Sequence, residues 1–231
     1  MNYDFIREKI LDVYQEQDIN TFPIDCFELM EIYGFKIRTY EFLSRMNEEA
    51  YRMCMYYSPD AFLDKKKNIV YYNENSVIGR VRFSMMHELG HKLLDHKKES
   101  KENEDQANYF ASHILAPRVA VHYAKCQNAA DIAMVFDTSL QASDVILQDY
   151  QEWYKRSAFH IDYIDWSIYR QFKKGDKFIF SIKTCRECGR EIINSKELLC
   201  PCCQSKKYRK IIQDDNERKL IIYEERMLDS I

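Results

Sequence analysis

The stretch RFSMMHELGHKLLDH, residues 82–96, decides how this chain is read. Its centre, HELGH at residues 87–91, spaces two histidines four positions apart. On an α-helix that separation leaves His87 and His91 about 40° apart on one face, so both imidazoles reach a single metal ion. Glu88 lies between them and points sideways, toward a water on such an ion, where a carboxylate acts as general base in the attack on a peptide carbonyl. The helical setting comes from Phe83, Met86, Gly90, Leu93 and Leu94, which repeat with the period of one buried face up to about His96, with Ser76 as the expected N-cap. Gly90 costs about 1 kcal/mol against alanine in a helix interior, which predicts another backbone close by. A chance pair of histidines on a solvated face leaves that setting unexplained.

A catalytic metal ion needs a third protein ligand. Downstream, EDQANYFASHILAP at residues 104–117 reads as a second helix, with Ala107, Phe110, Ala111, Ile114 and Leu115 on one stripe and Pro117 closing it. Glu104 precedes Ala107 by three residues and so aligns with that stripe, where a bare carboxylate is costly unless a cation neutralises it. A metal ion is such a cation; the competing account is an exposed glutamate favoured by the helix dipole. Asn108, one turn further on the same face, is placed to hydrogen-bond a ligand and hold its orientation. Glu102 and Asp105 project roughly 160° and 100° away from Glu104, and His113 about 180°, so each is a weaker candidate. His113 reads as a packing or surface histidine, and His96 as a polar residue at the negative pole of its helix, with a place behind a metal ligand as the alternative.

A second cluster lies near the C-terminus. Five of the eight cysteines fall within residues 185–203, and Cys185-x2-Cys188 with Cys200-x2-Cys203 is the spacing of a zinc ribbon, two turns supplying four thiolates. Gly189 permits the first turn and Pro201 stiffens the second, while Cys202 is surplus and able to replace a neighbour. Four thiolates close the coordination sphere, so this zinc is expected to be structural. Cys26, Cys54 and Cys126 are scattered singly, which is not a disulfide framework. The start, MNYDFIREKI, is charged from residue 4, and no segment approaches membrane-spanning length. The expected location is therefore the cytoplasm.

The formal charge of −3 hides an asymmetry. From Arg170 onward there are 15 Lys/Arg against 10 Asp/Glu, leaving 19 against 27 before it. Lys206, Lys207, Tyr208, Arg209 and Lys210 form a basic run that suits nucleic acid, although a solvated or protein-docking face explains it equally well. Amphipathic helices are expected at 3–15 and from about Pro23 to Gly34, strands at FKIRTYEFL and 68–72, and helices at 129–136 and 140–156. The last pair has helix-turn-helix proportions. Its second helix carries Asp144, Asp149 and Glu152, which would repel phosphate. The fold class is α+β, mainly helical with a small sheet, in three segments: a domain at 1–157, an aromatic-rich, packed connector at 158–178 and a ribbon domain at 179–231.

RFSMMHELGHKLLDH followed by EDQANYFASHILAP resembles the ImmA/IrrE metallopeptidases, and DIAMVFDTSLQASDVIL at residues 131–147 is similar as well. The resemblance covers roughly residues 1–156. It implies a zincin-like domain in which His87, His91 and Glu104 bind zinc and Glu88 is catalytic. It further implies an endopeptidase whose substrate is a helix-turn-helix repressor of a phage, mobile element or stress response. From the residues alone manganese also suits this ligand set. The alternative function is a non-cleaving ribbon protein that uses a peptidase-like domain to sense, to scaffold or to accompany nucleic-acid binding.

Overall fold

The computed structural model describes residues 3–157, 161–195 and 197–228, except for the side chains of 157, 216–217 and 220–228. The chain divides into Met1–Phe180 and Ser181–Ile231. In the first unit, α1 (Asp4–Glu16) buries Ile6, Ile10, Val13 and Tyr14, one face of its helical period. α2 (Cys26–Ile32) starts at Asp25, whose carboxylate accepts hydrogen bonds from the Phe27 and Glu28 amides. The strand expected over FKIRTYEFL is shorter, because β1 (Lys36–Thr39) ends where the Thr39 hydroxyl accepts from the Phe42 amide. That cap starts α3 (Tyr40–Met46). α4 (Glu48–Tyr57) and β2 (Ala61–Asp64) follow, neither announced by the sequence pattern, and then β3 (Ile69–Tyr72). The sheet has the order β1-β3-β2, parallel between β1 and β3 and antiparallel between β2 and β3, with Lys36 opposite Ile69 and Ala61 opposite Tyr72.

HELGH lies on α5 (Ile78–Leu93), and α6 (Lys101–Leu115) follows after a loop whose Ser100 hydroxyl caps it by accepting from the Asn103 amide. Ser76 does not cap α5. Val77 holds that position, and the Ser76 hydroxyl donates to the Asp60 carboxylate instead. Met85, Met86 and Leu89 on α5 and Ala107, Phe110 and Ile114 on α6 are all buried, which locks the two helices together. Gly90 does face a close neighbour, but not a backbone: a Cβ there would lie 3.0–3.2 Å from the Phe110 side chain. After α7 (Arg118–Tyr123) come α8 (Ala129–Phe136) and α9 (Leu140–Ser157). The backbone approach occurs at Gly79, where a Cβ would stand 2.4 Å from main-chain atoms of Thr138 and Ser139 in the α8–α9 turn. Only glycine fits, so the start of α5 is seated against that turn.

The first three residues of the expected connector, 158–160, lie outside the described residues. Beyond them, α10 (Tyr163–Gln171) and the hairpin of β4 (Lys173–Lys174) and β5 (Lys177–Phe178) add Ile164, Ile168, Phe172 and Phe178 to the core that holds Ile6 and Tyr14. Arg7 secures α10: its guanidinium lies 2.8 Å from Asp162 and 2.7 Å from Asp165, and the Trp153 indole also donates to Asp165 at 2.7 Å. Burial disfavours the Arg7 charge, but these two carboxylates outweigh it and raise its pKa.

In the second unit, the hairpin of β6 (Ile182–Thr184) and β7 (Glu191–Ile193) encloses the first cysteine turn. The second turn runs directly into α11 (Pro201–Leu228), so Pro201 opens a helix, where its missing N–H is no loss. Among the described residues no helix is long and apolar enough to cross a membrane.

Candidate metal centre

Two helices meet so that three donors converge. His87 Nε2 and His91 Nε2 are 3.0 Å apart, and the Glu104 carboxylate oxygens lie 3.2 Å from His87 Nε2 and 3.3 Å from His91 Nε2. A tetrahedral ion bonded at about 2.0 Å to nitrogen or oxygen has ligand-to-ligand edges of roughly 3.3 Å. The spacing therefore fits one ion of zinc size, with the fourth corner free for water or substrate.

The far side of each ring is fixed as well. His87 Nδ1 is 2.9 Å from Asn108 Oδ1. An amide oxygen only accepts, so His87 carries its proton on Nδ1 and turns the Nε2 lone pair toward the metal position. His91 Nδ1 is 3.0 Å from His96 Nδ1, and His96 Nε2 is 3.0 Å from Gln106 Oε1. The same logic sends one proton from His91 to His96 and the next from His96 to Gln106. His96 is thus more than a helix-end polar residue: it holds a candidate ligand. It reaches this position because Asp95 takes a left-handed conformation at φ 54° as the chain leaves α5. Local spacing carries no sign of that turn.

Electrostatics suit a cation. Burial pushes the His87 imidazole below its usual 6.5, and burial together with the His87 charge brings His91 down to about 4. Both rings are then neutral, the form that binds metal. Burial likewise pushes the Glu88 carboxyl up to about 7, opposed by the Lys65 ammonium on the β2–β3 turn and reinforced by Glu104. A cation beside Glu88 works against that shift. Glu88 has no hydrogen bond or ion pair among the described residues, which leaves its carboxylate uncommitted. Lys65 is a residue that periodicity never singles out, since it lies on the turn after β2, an edge strand that the sequence pattern did not announce.

His113, also on α6, is engaged elsewhere. His113 is buried, stacks on Tyr109 with ring centres 3.7 Å apart, and bonds Asp149 at 3.1 Å. Burial alone would raise the Asp149 carboxyl, but His113 and the Arg118 guanidinium, 2.7 Å away, hold it down at about 2.

The second unit holds Cys185, Cys188, Cys200 and Cys203 with their sulfurs within 4.8 Å of one another, while Cys202 is exposed and outside the group. Cys188 Sγ and Cys200 Sγ are 3.6 Å apart, close to the roughly 3.8 Å edge set by zinc–sulfur bonds of about 2.3 Å. The Cys200 amide points at Cys185 Sγ from 3.3 Å, and such backbone hydrogen bonds bring that thiol down to about 6. Gly189, at φ 71°, makes the first turn. The four sulfurs fit a zinc ribbon with a closed coordination sphere.

Residues 42–145 match the family described as the IrrE N-terminal-like domain, Peptidase_M78. The match is narrower than residues 1–156, but it contains HELGH, Glu104 and Asn108. No curated protein and no solved structure matches the chain.

Proposed function

We propose, starting from the IrrE N-terminal-like domain that residues 42–145 carry, that this chain is a zinc-dependent endopeptidase cleaving a helix-turn-helix transcriptional repressor in the cytoplasm. The domain is of metallopeptidase type, and a protein substrate follows from that. The observation that carries the reading is the convergence of His87, His91 and Glu104 within 3.3 Å, beside a Glu88 with no structural partner.

In this reading His87, His91 and Glu104 hold the zinc and the four cysteines hold a second, structural one. Zinc bound there polarises a peptide carbonyl and lowers the pKa of its water to about 7. Glu88 takes the proton from the attacking water and returns it to the departing amide nitrogen. Asn108 and His96 keep the two imidazoles in the tautomer that offers Nε2. A scaffold that only bound metal would have no use for an uncommitted carboxylate one residue from a ligand, which favours cleavage over the non-cleaving alternative.

Co-expression with a repressor encoded beside this gene tests the reading. Intact repressor should disappear with the wild type and persist with Glu88→Ala. Disappearance with both removes the catalytic assignment.

A further inference from the structure

A cavity of about 580 Å³ opens between α5, α6 and α9, within the range of built ligand sites. Its walls are largely apolar, from Phe83, Tyr109, Val145 and Ile146, and Tyr3 closes one side by stacking on Tyr109 at 4.4 Å. Val145 is 56% exposed although it lines the cavity, an apolar surface open to solvent.

The charges on the lining are three carboxylates, Asp60, Asp105 and Asp149, against the guanidinium of Arg80. Asp60 is taken up by Arg80 at 2.9 Å and by Ser76, and Asp149 by Arg118 and His113. Asp105 makes no hydrogen bond or ion pair among the described residues. A long apolar wall ending at a free carboxylate matches an amphipathic cationic side chain, which buries its methylene stem and keeps its charge at the rim.

The cavity adjoins the metal centre. Arg80 and Ser84 on its wall share a face of α5 with His87 and His91, at i, i+4, i+7 and i+11. Asn108 belongs to both, lining the cavity and bonding His87. Along the helix axis Ser84 and Arg80 precede His87 by roughly 5 and 10 Å. An extended peptide advances about 3.3–3.6 Å per residue, so a side chain two or three residues from the bond being cut reaches this space.

We propose that this cavity is the substrate subsite for a basic side chain, arginine or lysine with apolar neighbours, and that Asp105 selects it. The proposal rests on the peptidase reading above and gives it a substrate class. The sequence before Arg170 carries 27 acidic against 19 basic residues, a field that draws a basic partner. Segments that read DNA carry such side chains to neutralise phosphate.

The test uses the full-length Glu88→Ala protein loaded with zinc, and two fluorescein-labelled nonapeptides, one alternating leucine and arginine and one alternating leucine and glutamate. Fluorescence anisotropy should show binding of the arginine peptide only, weakening as salt is raised. Asp105→Asn should weaken it about tenfold, the loss of one charged contact. Val145→Trp, on an exposed position, should fill the space and weaken it at least as much, and both variants should keep their zinc. Equal binding of the two peptides, or arginine-peptide affinity unmoved by Val145→Trp, overturns the proposal. Because binding is read without cleavage, the two readings fail separately: the expected affinities with a wild type that cuts no repressor sink only the peptidase, and cleavage without these affinities sinks only the subsite.

Discussion

At the histidine centre three donors come from two long helices, and the groups that aim the two imidazoles are side chains: Asn108 behind His87, and His96 with Gln106 behind His91. At the cysteine centre Cys185 and Cys188 come from a short turn and Cys200 and Cys203 from the start of α11, and the groups that aim them are backbone amides, such as that of Cys200 on Cys185. The first arrangement supplies three donors, which leaves a tetrahedral ion one open corner. The second leaves none. A centre built on helices stands in a core that exists without metal, since Met86, Leu89 and Phe110 are fully buried around it. Among the described residues the cysteine centre has only Cys185, Ile192 and Cys200 buried in its cluster, with Leu199 and Cys203 partly so, and in the proposed reading a metal there acts in place of a core.

The largest effect should come from breaking the second centre. Cys200→Ser should release one equivalent of zinc and expose residues 181–200 to protease, because structural zinc contributes on the order of 10 kcal/mol to such folds. Glu104→Ala should release the other equivalent and leave the cysteine-bound one, with the first unit still folded. Elemental analysis with limited proteolysis reads both, and loss of both metals in either variant would abolish the contrast. Next in size, Glu88→Gln should keep both metals and lower repressor cleavage by about 10² to 10⁴, the range for a general base. An activity within tenfold of wild type would make the uncommitted carboxylate a bystander.

What the sequence made legible follows the same division. His87, His91, Glu104 and Asn108 lie on two helices with strong apolar periods, so counting at about 100° per residue placed them on common faces. The cysteine spacing was equally plain, because two short turns leave little freedom. Lys65 and the cavity were not legible, and His96 was legible only as the lesser alternative to a helix-end polar residue. His96 acts through a left-handed Asp95, Lys65 stands on a turn beside an unpredicted strand, and the cavity is assembled from Tyr3, α5, α6 and α9, far apart in sequence. In α3, a Thr39 cap overrode the alternation of KIRTYEFL. Gly79 and Gly90 are both helical glycines, and no local signal says that one meets a backbone and the other a phenyl ring.

His96 supplies the sharper comparison, since among the described residues the cysteine centre shows no side chain in this role. His96→Ala should weaken zinc at the histidine centre by about 10- to 100-fold in competition with a chelator, leaving the cysteine-bound zinc untouched. Gln106→Glu keeps an acceptor for His96 Nε2 and should hold affinity at or above wild type. Thermal unfolding of the metal-free protein distinguishes a mere packing defect, which would lower the midpoint with no selective effect on zinc.

The smallest effect concerns charge held without metal. His113, Asp149 and Arg118 form a network that includes none of the three candidate ligands. The Asp149 carboxyl sits at about 2 in the folded chain against an ordinary 3.8, so the unfolded chain binds the proton first as acid is added. Its stabilising contribution is complete above about pH 4 and is lost as pH falls toward 2. Asp149→Asn should therefore be less stable than wild type near pH 6 by about 1–3 kcal/mol in urea unfolding of the first unit, a charged hydrogen bond's worth. The gap should close between pH 4 and 2. A gap that persists unchanged to pH 2 would mean that the carboxylate is not the partner that matters, and that shape alone holds Arg118 and His113 in place.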